Sequence, residues 1–170
     1  MSKVLYIKAN AKPEGSSRTF RMSEAFIEEY RKADPRAEIV TLDLYQEKIG
    51  FLTEEGISLH RPKPGEGKDH PILKYAYQFA GADKYVISAP FWNLGIPAIL
   101  KAYIDYICVT GITFQYTATG PVGMGEGKKA INFISRGGDY SSAFMAGMEM
   151  GDKYLRNIFG FLGVRDFNTV

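Results

Sequence analysis

Tyr85-Val86-Ile87-Ser88-Ala89-Pro90-Phe91-Trp92-Asn93-Leu94-Gly95-Ile96-Pro97 runs from a β-forming apolar stretch, through a turn, to a proline. Tyr85–Ala89 has the composition of a buried strand, and Pro97 suits the first turn of a helix reaching about Val109. Leu100, Tyr103, Ile104 and Ile107 form that helix's apolar face. The same alternation extends in both directions. Upstream lie a strand at Val4–Ile7, a helix from about Ser17 to Asp34 stopped by Pro35, a strand at Ile39–Leu44 and a helix at Pro71–Ala80. Downstream lie a strand at Lys129–Ser135, a helix at about Ser142–Phe161 and a fifth strand within Val164–Val170. Strands joined through helices run parallel, and right-handed crossovers place helices on both faces. The expectation is an α/β, doubly wound five-stranded parallel sheet of order 2-1-3-4-5 in a single domain, residues 1–170. Two segments stay irregular: Tyr45–Asp69, with Gly50, Gly56, Pro62, Pro64, Gly65 and Gly67, and Thr110–Gly127, with Gly111, Gly120, Pro121, Gly123, Gly125 and Gly127.

Composition excludes several classes. The 170 residues carry 21 Lys+Arg against 19 Asp+Glu, a net charge of +2 that gives no footprint for nucleic acid. A 45% hydrophobic content excludes a disordered chain. The lone cysteine, Cys108, permits neither an internal disulfide nor a Cys-cluster metal site, and it reads as a buried small hydrophobe. The two histidines, His60 and His70, are not spaced as a helical zinc pair, so no metal is expected. No uncharged run is long enough for a membrane helix, and the start is too weakly apolar for a signal peptide. The cytoplasm is the expected compartment.

Ligands of doubly wound sheets sit beyond the carboxyl ends of the strands, so the loops after strands 1, 3 and 4 are the ones to read. The first is Asn10…Gly15-Ser16-Ser17-Arg18, which leads straight into a helix. Hydroxyls, free N–H groups and a cation there suit a phosphate; an ordinary Ser cap is the plainer alternative. The second, Pro90-Phe91-Trp92-Asn93-Leu94, puts two aromatics on a turn. They suit a flat aromatic cofactor, with Asn93 offering donor and acceptor, or else they fill the core or a dimer contact. The third, Ser135-Arg136-Gly137-Gly138, lets backbone approach a ligand closely or is a plain turn. Three unusual loops at one sheet edge favour a common ligand. The phosphate-loop and dinucleotide fingerprints are absent: the glycines around Gly123–Lys128 have the wrong spacing and precede a strand.

Ala89 through Asp105 resembles the FMN loop and following helix of the FMN-dependent NADH-azoreductases. Gly111-Ile112-Thr113-Phe114, Gly120-Pro121-Val122-Gly123, the segment from Ser2 to Arg18, and Ser135–Gly138 fit the same family in order along the chain. The resemblance implies a flavodoxin-like homodimer with noncovalent FMN and ping-pong chemistry. NADH or NADPH reduces the flavin, and the flavin reduces a quinone or azo compound. Residue by residue it implies Asn10, Ser16, Ser17 and Arg18 at the phosphate, Pro90, Phe91, Trp92, Asn93 and Leu94 along the ring, and Ser135, Arg136, Gly137 and Gly138 as the third FMN loop. Asn10 stands where the family commonly has Ser. The family also usually continues through a final helix beyond Val170.

Such chemistry asks little of side chains, because the cofactor carries the reactivity. No catalytic acid or base is assigned; water, Tyr116 or Tyr140 are candidates to deliver protons. The alternatives to a reductase are a non-enzymatic flavodoxin-like electron carrier and a scaffold without cofactor. Carriers are typically strongly acidic, which +2 is not, and the retained phosphate and ring loops argue against an empty scaffold.

Overall fold

The computed structural model describes residues 1–63 and 66–170. Pro64 and Gly65, two of the loop signals above, lie outside the described residues. The main sheet contains β1 (Lys3–Lys8), β2 (Glu38–Asp43), β3 (Lys84–Ser88), β6 (Lys129–Phe133) and β7 (Asp166–Thr169). Its order is β2-β1-β3-β6-β7, with every neighbouring pair parallel. This is the expected 2-1-3-4-5 arrangement, because β4 (Phe114–Thr117) and β5 (Gly120–Gly123) form a separate antiparallel hairpin. The helices are α1 (Arg18–Ala33), α2 (Glu54–Ser58), α3 (Lys74–Ala80), α4 (Ala98–Ile107), α5 (Ala143–Met148) and α6 (Gly151–Phe161).

The central strands β1 and β3 are buried on both faces, which is why they read as continuous apolar runs. Val4, Tyr6, Val86 and Phe133 pack with Ile27 of α1. Leu5, Ile7, Tyr85 and Ile87 face the other way, against Phe79 of α3, Leu100, Tyr103 and Ile104 of α4, and Leu155 and Phe159 of α6. The alternation follows directly from the twofold period of a strand. Leu100, Tyr103, Ile104 and Ile107 are all buried, as the helical spacing predicts.

The expected helix at 142–161 is two helices. Glu149 is extended (φ −77°, ψ 91°) and breaks the run. Its carboxylate accepts the N–H of Asp152 and so starts a new helix, α6. The irregular segment at 110–127 contains the β4–β5 hairpin. Its loop, Ala118-Thr119, has none of the Asn-Gly chemistry that marks a hairpin in a sequence. The segment 45–69 contains a short helix, α2, capped by Thr53. Helix α3 starts at Lys74 rather than Pro71, after a run of turns.

Candidate functional site

Parallel order brings the ends of β1, β3 and β6 side by side, and the three loops that leave them are bonded to one another. Thr19 Oγ1, in the first turn of α1, lies 2.6 Å from Ser135 Oγ in the loop after β6. The carbonyl of Ser135 accepts the N–H of Phe91 at 3.0 Å, joining the loop after β3. Ser135 is therefore the junction of all three. Below it, buried Ser23 bonds Tyr6 OH at 2.7 Å and Ser88 Oγ at 2.8 Å, fixing α1 against β1 and β3. Burial, the dominant influence, raises the Tyr6 phenol's pKa, so it stays protonated. Thr19 and Ser23 were not among the sequence candidates. A hydroxyl every fourth residue, at 19 and 23 on the buried side of an otherwise apolar helix face, was the available signal.

At the start of α1, Ser17 is the N-cap. Its Oγ accepts from Phe20 N–H at 3.1 Å and from Asn10 Nδ2 at 2.7 Å. Both lone pairs of that oxygen are thus engaged, and its proton is left to donate. The N–H groups of Arg18 and Thr19, the first two of the helix, have no acceptor among the described residues. Arg18 is exposed and has no carboxylate partner among the described residues. The result is a cluster of donors with positive charge, fit for a phosphate group. Asn10 is buried, and its Oδ1 also accepts Lys12 N–H at 3.0 Å, so it holds Ser17 from behind. Ser16 is spent on its own turn, since its hydroxyl donates to the carbonyl of Pro13 at 3.0 Å.

The turn after β3 is a two-residue hairpin. Trp92 and Gly95 exchange both N–H···O bonds at 3.0 Å, and Asn93 and Leu94 both sit at positive φ, 51° and 66°. Asn tolerates that region; Leu does so only under strain. The Asn93 side chain is exposed and makes no hydrogen bond among the described residues, so it does not brace the turn. Phe91 is buried, edge-on to Tyr140 at 4.9 Å, and Pro90 is buried too. Trp92 is half-buried. In the third loop a Cβ at Gly137 would meet nothing within 4 Å, and one at Gly138 only the Tyr140 ring at 3.8 Å. The protein itself does not need either glycine; they leave a shelf that side chains would fill. Arg136 pairs with Glu149 at 3.3 Å. The polar donors, aromatic turn and bare glycine backbone fit a flavin mononucleotide in its phosphate and ring parts.

Cys108 ends α4, and burial pushes its thiol up to about 11, which makes it a poor nucleophile. A cavity of about 570 Å³ lies at the opposite end of the sheet, walled by Gly123, Lys128, Phe161 and Arg165. It contains none of the candidate residues and faces the amino ends of β6 and β7. Among the described residues no helix is long and apolar enough to cross a membrane, and no group of His, Cys, Asp or Glu is arranged to hold a metal.

Sheet order defines a doubly wound protein, and the three bonded loops put its candidate site at the carboxyl edge of the sheet. Residues 2–170 match the family described as flavodoxin-like fold, and the chain belongs to that family. It is 71% identical over 170 residues to an FMN-dependent NADH:quinone oxidoreductase 2 of Clostridium acetobutylicum, covering 100% of this chain and 85% of that one. It is 60% identical to an FMN-dependent NADH:quinone oxidoreductase of Clostridium perfringens, with the same coverage. Among solved structures, an azoreductase from Bacillus anthracis str. Sterne superposes with a TM-score of 0.88 at 37% identity, covering 100% of this chain and 86% of that one. An FMN-dependent NADH-azoreductase from Bacillus anthracis str. Ames Ancestor, in complex with FMN, superposes with a TM-score of 0.89 at 28% identity, with the same coverage.

Proposed function

We propose that this chain is an FMN-dependent oxidoreductase that takes hydride from NADH or NADPH and passes it to a quinone or azo compound in alternating half-reactions. The observation that carries the reading is the donor cluster at the start of α1, bonded through Thr19 and Ser135 to the Pro90–Leu94 turn. The relatives named above are oxidoreductases or reductases, which supports an enzyme over an electron carrier.

FMN, when bound, supplies the hydride chemistry. The chain's residues bind and orient. Ser17 Oγ–H, the N–H groups of Arg18 and Thr19 and the Arg18 guanidinium hold the phosphate. Phe91, Trp92 and Leu94 give an apolar wall, Pro90 sets its start, and the free Asn93 amide meets the polar ring edge. Ser135 keeps the loops in register, Arg136 is held beside them, and Gly137 and Gly138 let the backbone come close. No side chain is given a proton-transfer role.

The 170 residues act as one FMN-binding domain, and two copies form the working unit. Phe51, Ile57, Tyr116 and Phe144 are 61–82% exposed in one chain, apolar side chains that a second copy would cover. The dinucleotide donor suits the cytoplasm.

The visible spectrum of the purified protein tests the function. Flavin bands that leave as FMN on denaturation, and that bleach on adding NADH and return on adding a benzoquinone, are expected. A colourless protein that takes up no FMN overturns it.

A further inference from the structure

Glu149, Met150 and Gly151, at the start of α6, touch both the Pro90–Leu94 turn and the Ser135–Gly138 loop. Glu149 is 8% exposed. Its two carboxylate oxygens lie 3.1 and 3.2 Å from the Asp152 nitrogen whose N–H they accept, and Oε1 also lies 3.3 Å from Nη2 of Arg136. Met150 N–H donates to the carbonyl of Leu94 at 3.1 Å, the residue held at positive φ. Gly151 packs so closely that a Cβ there would lie 2.9 Å from Phe91 Cδ2 and 3.2 Å from Glu149 Oε1. One short linker thus grips the third loop by charge, the strained turn by a hydrogen bond and the Phe91 ring by contact.

Capping α6 does not by itself call for this residue. A short neutral side chain caps a helix as well, without the cost of burying a carboxylate. A buried carboxylate is tolerated when a cation pairs with it, and here that cation is Arg136. Arg136 directly precedes Gly137 and Gly138, and Glu149 is the carboxylate that pairs with it among the described residues. We infer that Glu149 is a positioning residue for the flavin: it fixes Arg136 and, through the linker it anchors, the Phe91–Leu94 turn. The inference rests on the FMN reading above. Holding these groups before the cofactor arrives removes the ordering cost from binding.

The test is a cycle of FMN affinities and bound-flavin spectra for the wild type, Glu149→Gln, Arg136→Gln and the double variant. Gln keeps an oxygen to accept Asp152 N–H, so α6 still starts, but it gives up the charge. Glu149→Gln is expected to bind FMN roughly tenfold more weakly and to shift the visible band of the flavin that stays bound. The flavin-free protein should melt as the wild type does. Arg136→Gln should lose a similar factor, and the double variant no more than either, because the two residues act as one unit. Wild-type affinity and spectrum in Glu149→Gln overturn the inference. So do losses that multiply in the double variant, or a loss matched by an equal fall in flavin-free stability. If Glu149→Gln does not fold, Glu149→Asp keeps the charge, withdraws it by one methylene, and must show the same loss. A wild-type protein that takes up no FMN overturns the function itself; a yellow wild type with an indifferent Glu149 overturns only the positioning role.

Discussion

Ser17 shows how much one residue's surroundings decide. In the sequence it is a Ser before a helix, equally an ordinary cap and a phosphate ligand. In the structure its oxygen caps Phe20 N–H and accepts from Asn10, which leaves its proton to donate, so capping the helix does not exclude the phosphate role proposed above. Asp caps helices as well as Ser does, so Ser17→Asp keeps α1 but sets a negative charge beside the phosphate. Two like charges about 4 Å apart at a protein surface repel by roughly 4 kcal/mol, so FMN affinity should fall at least about 100-fold with unchanged circular dichroism. Asn93 is separable in the same way. Its φ of 51° suits glycine, so Asn93→Gly leaves the turn intact and removes only the amide. One hydrogen bond of about 1 kcal/mol predicts roughly fivefold weaker FMN in a fluorescence titration. Unchanged affinity would put the amide away from the ring. Trp92, the chain's one tryptophan, should be quenched by FMN in the same titration.

At the scale of elements, the β4–β5 hairpin and the end of α6 meet backbone to backbone. A Cβ on Gly163, whose φ is +91°, would lie 2.8 Å from the carbonyl oxygen of Gly123. Gly163→Ala combines a left-handed backbone with a main-chain clash, and neither can relax without moving the hairpin. It should cost about 2–4 kcal/mol, read as a lower urea midpoint. The loop after α2 is held differently. His60 accepts Thr110 N–H at its carbonyl, and its buried Nε2 has no hydrogen-bond partner among the described residues. Burial lowers the imidazole pKa below its usual 6.5, partly opposed by Asp105 and a bond to the Cys108 backbone. The unfolded chain then binds more protons than the folded one in the window just below pH 6.5. The stabilisation is complete above that value and is lost as pH falls through it toward the lower, folded value. The melting temperature of the wild type should drop across this window more steeply than that of His60→Gln. Parallel slopes would show that His60 carries none of the effect. Neither contact was legible in the sequence, because each depends on what another segment places opposite.

For the whole molecule, the exposed Phe51, Ile57, Tyr116 and Phe144 predict self-association. Sedimentation at micromolar concentration should give about twice the 19.0 kDa of one chain; a species at 19.0 kDa with FMN bound would count against the homodimer. Much of the architecture was determined by the sequence alone. Buried parallel strands must be apolar on both faces, so Val4–Ile7 and Tyr85–Ala89 announce themselves, and helices of period 3.6 between them force parallel pairing. The loops at the carboxyl edge follow from that order, and so does their candidacy as a binding site. Short elements did not show. The four-residue strands of the hairpin are too brief for periodicity, and the break at Glu149 looks like one more helical residue until its carboxylate is seen on Asp152 N–H. Tertiary structure alone decided which atoms of the site are free. Ser16 is turned onto Pro13, Asn10 onto Ser17 and Arg136 onto Glu149, while the Asn93 side chain and the first N–H groups of α1 meet no partner among the described residues. A side chain's type sets which hydrogen bonds it can make; only the groups that folding brings within about 3 Å decide which of them are already taken.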